Sequence, residues 1–445
     1  YVSADDGVVT FCPMTLKSSR LLGITKYDPN FQREWSKQVL QQNGRANVDE
    51  IAVLGGNVFI FISEFIPREK TIETSFTQID LDGNILSTRE IISTDPNAPE
   101  HRVALKYVRS INKKKLLCYK NLANNNDRER LQYYLFDHQS PEVISGTIEI
   151  PYPADKFQLR SISISNNGEI YVLGKFFRVN RVKDPDDYGF KLYRMQAGAD
   201  RMMELDLPSN NNYVTDLMLK VDPRDNAFLT GFYSERSTSE IVGTMFFRVN
   251  EEFNIEVQAA TRFSDRFLNQ FLNSRQIDRG RELKNFYLDN MVLRSDGGVL
   301  MMAEKYYTTF NSYMDAFGYW TEQRIHHYDD IIVNSVGANG EIEWSSVVPK
   351  QQMSERRDHL GYVDVVSGAE LFLVYGYRPR RAPAAMYLNV VGPEGQVSSR
   401  ELLRSASNNT DNLYPRLSQQ ISNSEAMMVF YQDRDKILSI ARVQF

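Results

Sequence analysis

Residues 56–65 (GNVFIFISEF) and 76–86 (FTQIDLDGNIL) form the part of the chain that decides the fold. The first is an apolar run of strand length, and the second is a strand that leads into the tight turn at Asp82 and Gly83. Glycine supplies the positive φ that such a turn needs, so Asp-Gly between two apolar runs is a strong hairpin signal. The pattern predicts antiparallel strands joined by short turns.

The same pattern returns along the whole chain. Similar turns begin at Asp28, Asp80, Asp137, Gln196, Asn250, Val336 and Gly392. These starting numbers differ by 52, 57, 59, 54, 86 and 56 residues, so five of the six spacings agree within seven residues. An apolar strand precedes each turn, and an eighth such strand lies at residues 426–431.

A period near 55 residues with three or four short strands is typical of a propeller blade, since a small sheet buries its faces only when neighbours stack on it. We therefore predict an all-β chain that forms a single β-propeller domain over residues 1–445. Eight copies of the central strand favour eight blades. Seven blades are the alternative, because the first repeat lacks an obvious inner strand and the last lacks an outer one.

The long spacing predicts a short helical insertion at about residues 263–285. Ser264 is the expected N-cap, and Phe263 with Leu268 occupies the positions of a hydrophobic staple. We interpret the insertion as a helix that caps the propeller, with a partner-docking helix as the alternative. A loop is expected at about residues 308–327.

Composition excludes several classes of protein. The chain carries 52 Lys+Arg against 57 Asp+Glu, a net charge of −5, so it has no broad basic face for nucleic acid. No stretch approaches the roughly 18 apolar residues that a spanning helix needs. Cys12 and Cys118 form neither a disulfide framework nor a C-x-x-C pair. Because residue 1 is Tyr1, we expect that a leader has been removed, which would fit an exported protein.

Several motifs in the region from residue 267 to about 378 carry a family resemblance. They are Leu268-Asn-Gln-Phe-Leu, the segment 279–283, Asp296-Gly-Gly-Val-Leu-Met-Met-Ala-Glu-Lys-Tyr-Tyr307, His327-Tyr-Asp-Asp-Ile-Ile-Val333, Gly340-Glu-Ile-Glu-Trp344 and Val348-Pro-Lys-Gln-Gln352. This region, about a quarter of the chain, resembles a family of uncharacterised exported proteins common in Bacteroidota. Lys305 stands where that family usually has Gln, and Asp329 where it usually has Asn. The resemblance implies a propeller in the cell envelope and no agreed activity.

Glu304, Tyr306 and Tyr307 follow a strand that reads as buried. A carboxylate beside two aromatic rings could bind a polar ligand, or act as an acid with a raised pKa. The alternative is that the tyrosines pack against the next blade while Glu304 satisfies local backbone donors.

Residues 326–330 (HHYDD) form the one cluster of histidines, with His327 and Tyr328 as candidate binding residues. Histidine with carboxylate is a possible divalent-metal set. Adjacent residues of a strand project to opposite faces, however, so neither the two histidines nor Asp329 and Asp330 should reach one ion. We predict no metal site here.

Arginine is densest at Arg378, Arg380 and Arg381, in a loop that suits contact with an anion or an acidic partner. The chain contains no Gly-x-Ser-x-Gly, no Gly-x-x-x-x-Gly-Lys-Ser/Thr and no His-Glu-x-x-His. We predict no cofactor and no catalytic residue, although a propeller hydrolase could assemble its site from residues of different blades.

The sequence hypothesis is a binding or scaffolding subunit of a bacterial cell-envelope or surface assembly, with other envelope proteins as partners. Its expected location is the periplasm, the outer membrane or the cell surface, with membrane association only through a partner or an N-terminal anchor. The alternative is a hydrolase that acts on glycans or peptides at the propeller mouth.

Overall fold

The structure is a computed structural model and confirms an all-β chain. It describes residues 2–4, 7–16, 19–42, 46–94, 105–122, 128–179, 181–184, 186–314, 318–377, 385–404, 411–432 and 436–445. Within these residues the strands form eight successive four-stranded antiparallel sheets. Consecutive small meanders of this kind are the blades of a β-propeller, the predicted fold class. The number of blades that share one axis stays a prediction.

The first four sheets follow the chain in order. Sheet 1 contains β1 (Val2–Ala4), β2 (Gly7–Leu16), β3 (Ser19–Tyr27) and β4 (Arg33–Gln42), and sheet 2 contains β5 (Ala46–Leu54), β6 (Asn57–Ile66), β7 (Thr71–Ile79) and β8 (Ile85–Thr94). Sheet 3 contains β9 (Lys106–Arg109), β10 (Lys115–Asn121), β11 (Arg128–Asp137) and β12 (Ser140–Pro153), and sheet 4 contains β13 (Phe157–Ile164), β14 (Glu169–Phe177), β15 (Tyr188–Gln196) and β16 (Met202–Leu207).

The last four sheets include the insertion. Sheet 5 contains β17 (Tyr213–Val221), β18 (Ala227–Ser234), β20 (Gly243–Val249) and β21 (Ile255–Arg262), while β19 (Glu240–Ile241) pairs separately with β22 (Leu283–Lys284). The helices α1 (Asp265–Leu268) and α2 (Ser274–Asp278) follow β21. Sheet 6 contains β23 (Phe286–Leu293), β24 (Val299–Met314), β25 (Trp320–Val336) and β26 (Ile342–Ser354), and sheet 7 contains β27 (Val363–Ser367), β28 (Glu370–Tyr377), β29 (Ala385–Val391) and β30 (Val397–Arg404). Sheet 8 contains β31 (Asp411–Leu413), β32 (Gln419–Gln420), β33 (Glu425–Gln432) and β34 (Ile437–Gln444), with a 3₁₀ turn at Pro415–Leu417.

The chain divides into two compact units. The first unit comprises Tyr1–Pro208 with Val221–Ala227 and Asn250–Asn254, and the second comprises Ser209–Lys220, Phe228–Val249 and Ile255–Phe445. Within each unit the apolar core lies between successive sheets. In the first unit, separate clusters join sheets 1 and 2, sheets 2 and 3, and sheets 3 and 4. In the second, clusters join sheets 5 and 6, sheets 6 and 7, and sheets 7 and 8.

The repeated turn of the sequence connects the third and fourth strands of a sheet. In sheet 2, Asp80 N donates to Asn84 O at 3.0 Å, while Oδ1 of Asp80 accepts from the backbone N–H groups of Asp82 and Asn84. The fourth residue of this turn, Gly83, has φ 84°, and Phe31 takes the same left-handed position in sheet 1 with φ 59°. The side-chain acceptor and the left-handed residue explain why Asp and Gly recur there.

The helical insertion occurs where the sequence places it. Ser264 is the N-cap of α1, and its Oγ accepts from Phe267 N at 3.3 Å. The predicted staple residues Phe263 and Leu268 are both buried in one cluster with residues of sheets 5 and 6. The insertion is therefore anchored by its apolar residues to two sheets of the second unit.

The segment 308–327 was predicted as a loop, but residues 308–314 and 320–327 belong to the two strands of a long hairpin. Strands β24 and β25 stay paired from Val299 with Val336 to Met314 with Trp320. The segment does not alternate polar and apolar residues, so the strand period of two does not reveal it, although its Thr, Phe, Tyr, Trp and Ile residues favour strands. The hairpin therefore extends well beyond the neighbouring strands.

Two tryptophans on fourth strands bind the turn of the following sheet. Trp35 Nε1 donates to Leu81 O at 2.8 Å, and Trp344 Nε1 donates to Pro393 O at 2.9 Å. Each lies seven residues after the first residue of its own sheet's turn, Asp28 and Gly337. These bonds tie sheet 1 to sheet 2 and sheet 6 to sheet 7.

We expect Trp344→Phe to lower the free energy of unfolding by about 1–2 kcal/mol, because the ring largely remains but the indole donor is lost. Urea denaturation of the purified chain measures this change. Trp320→Phe is the matched control, since Trp320 is 71% exposed, and should shift the free energy by less than about 0.5 kcal/mol. Equal losses in both variants would contradict a role for the bond to Pro393.

Candidate functional site

The predicted binding residues Glu304, Tyr306, Tyr307, His327 and Tyr328 all lie on the β24–β25 hairpin of the second unit. Their pairing is irregular. The register passes from Glu304 opposite Ile331 to Tyr306 opposite Tyr328, so Lys305, Asp329 and Asp330 lie in a bulge. A bulge bends the strand and redirects side chains, and it is common next to functional sites.

Glu304 is buried in an ion pair that the sequence did not predict. The residue is 6% exposed, and Lys350 Nζ lies 2.7 Å from its Oε1. The same ammonium donates to Tyr328 O at 2.7 Å and to Gln352 Oε1 at 3.0 Å. Three acceptors therefore surround the three donors of Lys350, whose side chain is fully buried.

Burial shifts the pKa of both partners toward their neutral forms. It raises the pKa of Glu304 from 4.5 to about 7, with the Lys350 ammonium opposing this and the charges of Asp289 and Asp329 adding to it. It also lowers the pKa of Lys350, against the opposing effect of Glu304, Asp329 and Asp289. Burying this ion pair therefore costs desolvation free energy, which the attraction between the two charges offsets only because they lie close together.

Asp289, on strand β23, extends this acidic group. More than a third of its surface is exposed, yet the protein atoms crowded around it raise its pKa, while the Tyr362 hydroxyl opposes this shift. Asp364 raises the pKa of Asp289 further by charge repulsion. Sheets 6 and 7 therefore bring several carboxylates and one buried ammonium together.

One face of the hairpin carries a stack of aromatic and cationic groups. Tyr306 OH lies 2.9 Å from His326 Nδ1, and its ring lies 4.9 Å from that of Tyr328. Arg357 donates to Tyr328 OH from Nε at 3.0 Å and from Nη2 at 2.8 Å, and its guanidinium lies 5.2 Å from the Tyr306 ring. These contacts hold Tyr306 and Tyr328 in place beside the ion pair.

The opposite face carries Tyr307 and His327. Their rings stack at 4.5 Å with an interplanar angle of 4°, and His327 Nε2 lies 2.8 Å from Thr309 Oγ1. Burial raises the pKa of Tyr307, and the carboxylate of Asp329 adds to this shift. The predicted residues therefore separate onto two faces, and His326 and His327 point apart as strand geometry requires.

Asp329 and Asp330 do not obey that alternation. Opposite β25, the pairing with β26 passes from Asp329–Gln351 to Ile331–Val348, so Asp330 faces Pro349 and Lys350. Both carboxylates line the same cleft, and the expectation that they diverge was wrong because the bulge breaks the period of two. Among the described residues, no group of three or more His, Cys, Asp or Glu side chains could hold a metal ion.

The cleft between sheets 6 and 7 has a volume of about 490 Å³. Besides the two aspartates it is lined by Pro349, Lys350, Gln351, Tyr375, Tyr377 and Tyr387. The three tyrosines lie on β28 and β29 and could not be predicted from the sequence, because their approach to β25 depends on how the sheets stack. Arg378, Arg380 and Arg381 lie outside the described residues.

Comparisons with known proteins give only distant similarity. No protein-family model matches the chain, and no curated protein matches it in sequence. Among solved structures the chain is similar to a mutant puromycin hydrolase, with 13% identity and a TM-score of 0.43 over 91% of this chain and 52% of that chain. It is also similar to the WD40 domain of SCAP from fission yeast, with 8% identity and a TM-score of 0.43 over 100% of this chain and 96% of that chain.

A third similar structure is the β-propeller domain of the Trilobed protease from Pyrococcus furiosus, with 9% identity and a TM-score of 0.40 over 90% of this chain and 95% of that chain. The chain spans about half the length of the puromycin hydrolase.

Proposed function

We propose that the protein is a non-catalytic binding or scaffolding subunit of a bacterial cell-envelope or surface assembly. The observation that carries the proposal is the outer part of the β24–β25 hairpin, residues 309–314 and 318–325, which we call the ribbon. Strand β26 pairs with β25 only as far as His326, and β23 pairs with β24 only as far as Lys305. The ribbon is therefore two-stranded, and neither of its edges is paired with the neighbouring strands β23 and β26.

One face of the ribbon carries three exposed large apolar side chains, with the polar pair Ser312 and Glu322 between them. Phe310, Met314 and Trp320 are 55%, 56% and 71% exposed, and alternation places all three on the same face. The guanidinium of Arg324 lies 5.3 Å from the Phe310 ring. Exposed Trp, Phe and Met beside Arg are the residue types enriched at protein interfaces.

The buried ion pair favours binding over hydrolysis. A general acid must reach the substrate, whereas Glu304 is 6% exposed and held by Lys350. Its raised pKa, and the nearby cleft lined by two aspartates and three tyrosines, suit a hydrolase acting on glycans or peptides, which is the second candidate function. Turnover of a glycan or peptide by the purified wild type, abolished in Glu304→Gln, would favour that candidate.

The envelope location rests on the resemblance of residues 267–378 to exported proteins. Among the described residues, no helix has the length and apolar character needed to cross a membrane. The proposal includes association with the envelope through a partner or an N-terminal anchor. Fractionation of the source cells, with the chain detected by antibody, tests this part of the proposal.

The ribbon is tested with a double variant, Met314→Ser with Trp320→Ser. We expect it to leave the native assembly, because losing two buried anchors of an interface costs at least about 2 kcal/mol, or more than tenfold in affinity. Blue native electrophoresis of solubilised envelopes, probed with antibody, measures the size of the assembly. The variant should run as the free chain.

Tyr313→Ser with Gln323→Ser is the matched control, since both residues lie on the opposite face of the ribbon. It should keep the wild-type assembly. A wild type that already runs as a free monomer, or a double variant that stays in the assembly, would count against the proposal.

A further inference from the structure

The cleft between sheets 6 and 7 combines negative charge with aromatic walls. Asp329 and Asp330 reach it from the bulge in β25, and Tyr375, Tyr377 and Tyr387 reach it from β28 and β29. At about 490 Å³, it falls within the usual range of small-ligand sites. Neither the binding hypothesis nor any other feature described above accounts for this combination.

Among the described residues, neither carboxylate of the cleft forms a direct ion pair. The Lys350 ammonium lies near both, but its three donors bond Glu304, Tyr328 O and Gln352. Asp330 accepts the backbone N–H of Lys350 at 3.3 Å, and Lys305 and Lys350 act on it by charge. The Tyr307 side chain hydrogen-bonds the Asp329 carboxylate, but Oδ1 of Asp329 is buried and accepts no hydrogen bond from the described residues. A buried carboxylate oxygen of this kind requires a donor.

The tyrosine rings form a continuous wall. The rings of Tyr375 and Tyr387 lie 5.8 Å apart at 25°, and Tyr377 meets Tyr387 edge-on at 6.4 Å. Tyr375 OH donates to Pro349 O at 3.1 Å, which fixes its ring against the cleft. Aromatic faces attract cations within about 6 Å of their centroids, and the effect is larger where water is excluded.

We propose that this cleft binds a primary ammonium or guanidinium group, with Asp329 and Asp330 as the anionic partners and the three tyrosines as the aromatic wall. A cation satisfies the unpaired oxygen of Asp329, compensates two adjacent charges and stacks on a ring at the same time. A neutral sugar could use the tyrosines and the oxygens but brings no positive charge to the two carboxylates. The chain already contains one such contact between an ammonium and an aromatic ring, since Lys350 Nζ lies 5.8 Å from the Tyr375 ring centroid.

This inference goes beyond the proposed assembly and does not depend on it. The cleft residues lie outside the ribbon, so cleft variants should leave the native assembly intact, and ribbon variants should leave cation binding intact. Failure of one proposal is thereby distinguishable from failure of the other.

The test is titration of the purified chain, followed by isothermal calorimetry. N-acetyl-lysine methylamide and N-acetyl-arginine methylamide probe a protein side chain, and putrescine probes a free amine. N-acetyl-norleucine methylamide is the neutral control of similar shape. We expect at least one of the three cations to bind at least tenfold more tightly than norleucine, and we expect added salt to weaken this binding.

Two variants locate the site. The double variant Asp329→Asn with Asp330→Asn should lose the preference for cations, and Tyr377→Leu should weaken cation binding several-fold. Asp358→Asn is the control, because Asp358 is an exposed carboxylate outside the cleft, and it should bind cations as the wild type does. Circular dichroism checks that each variant folds. If the double aspartate variant does not fold, weaker cation binding by folded Tyr377→Leu still tests the site. Equal binding of norleucine and the cations, full binding by the folded Asp variant, or binding of methyl glycosides or Ca²⁺ alone would each overturn the inference.

Discussion

Lys350→Met is expected to lower the free energy of unfolding by about 3–5 kcal/mol at pH 8, the largest change expected from any single substitution discussed for this chain. Among the described residues, Lys350 supplies the ammonium that pairs with the buried carboxylate of Glu304, and the substitution removes it. It also removes one donor to Tyr328 O and one of the two donors to the side-chain oxygen of Gln352, which keeps the backbone N–H of Gly361. Removing one member of a buried pair costs more than removing both, because the remaining charge has no compensation.

Chemical denaturation at pH 8 measures this loss, and two further variants interpret it. Adding Glu304→Gln to Lys350→Met should recover at least about 1–2 kcal/mol, since the stranded charge is then absent. Lys305→Met removes a neighbouring lysine that is partly exposed, and it should cost less than about 1 kcal/mol. If Lys350→Met and Lys305→Met were equally stable, the buried pair would have no special role.

Stability is expected to fall as pH rises from about 4.5 to above 7, through the contribution of Glu304. Its pKa is about 7 in the folded chain and 4.5 when unperturbed, so in this range the folded state binds a proton that the unfolded state has lost. The contribution is fully present below pH 4.5 and disappears as pH passes through about 7. A shift of this size corresponds to about 3 kcal/mol, because one pKa unit is about 1.36 kcal/mol.

Glu304→Gln isolates this contribution from those of the other carboxylates. It mimics the protonated form and keeps an acceptor for Lys350, which also stays within range of Asp329 and Asp289. Relative to the wild type, the variant should gain about 3 kcal/mol of stability between pH 4.5 and pH 8, in addition to a constant cost of giving Lys350 an amide partner in place of a carboxyl group. Urea denaturation of both chains at several pH values measures the difference. A difference that does not change with pH would refute the assignment of this titration to Glu304.

The second strands and the turns of the sheets could be predicted from the sequence because local chemistry determines them. Apolar runs such as residues 58–62 form second strands, and turns such as the one at Asp80 connect third to fourth strands. The first strands of the sheets could not be predicted. Asp49, Arg160 and Asp289 are extra residues at register shifts in β5, β13 and β23, and such a residue breaks the period of two.

The site was predicted only in part, for a related reason. Glu304, Tyr306 and Tyr328 were singled out by residue type, but Lys350 lies on β26 and meets Glu304 only through the bulged pairing of sheet 6. The predicted divergence of Asp329 and Asp330 assumed a regular strand. Sequence periodicity describes ideal strands, whereas this part of the chain depends on a deviation from one.

The tryptophan bonds between neighbouring sheets have a consequence for local opening. Outer turns are normally where a sheet frays first, and their amide hydrogens exchange quickly with solvent. Here the turn at residues 80–84 is bound by Trp35 of the preceding sheet, and the turn at residues 392–396 by Trp344. Opening either turn requires breaking the hydrogen bond from a tryptophan side chain that belongs to the preceding sheet. The protection of these amides against exchange should therefore follow the cooperativity of two adjoining sheets rather than that of a single hairpin.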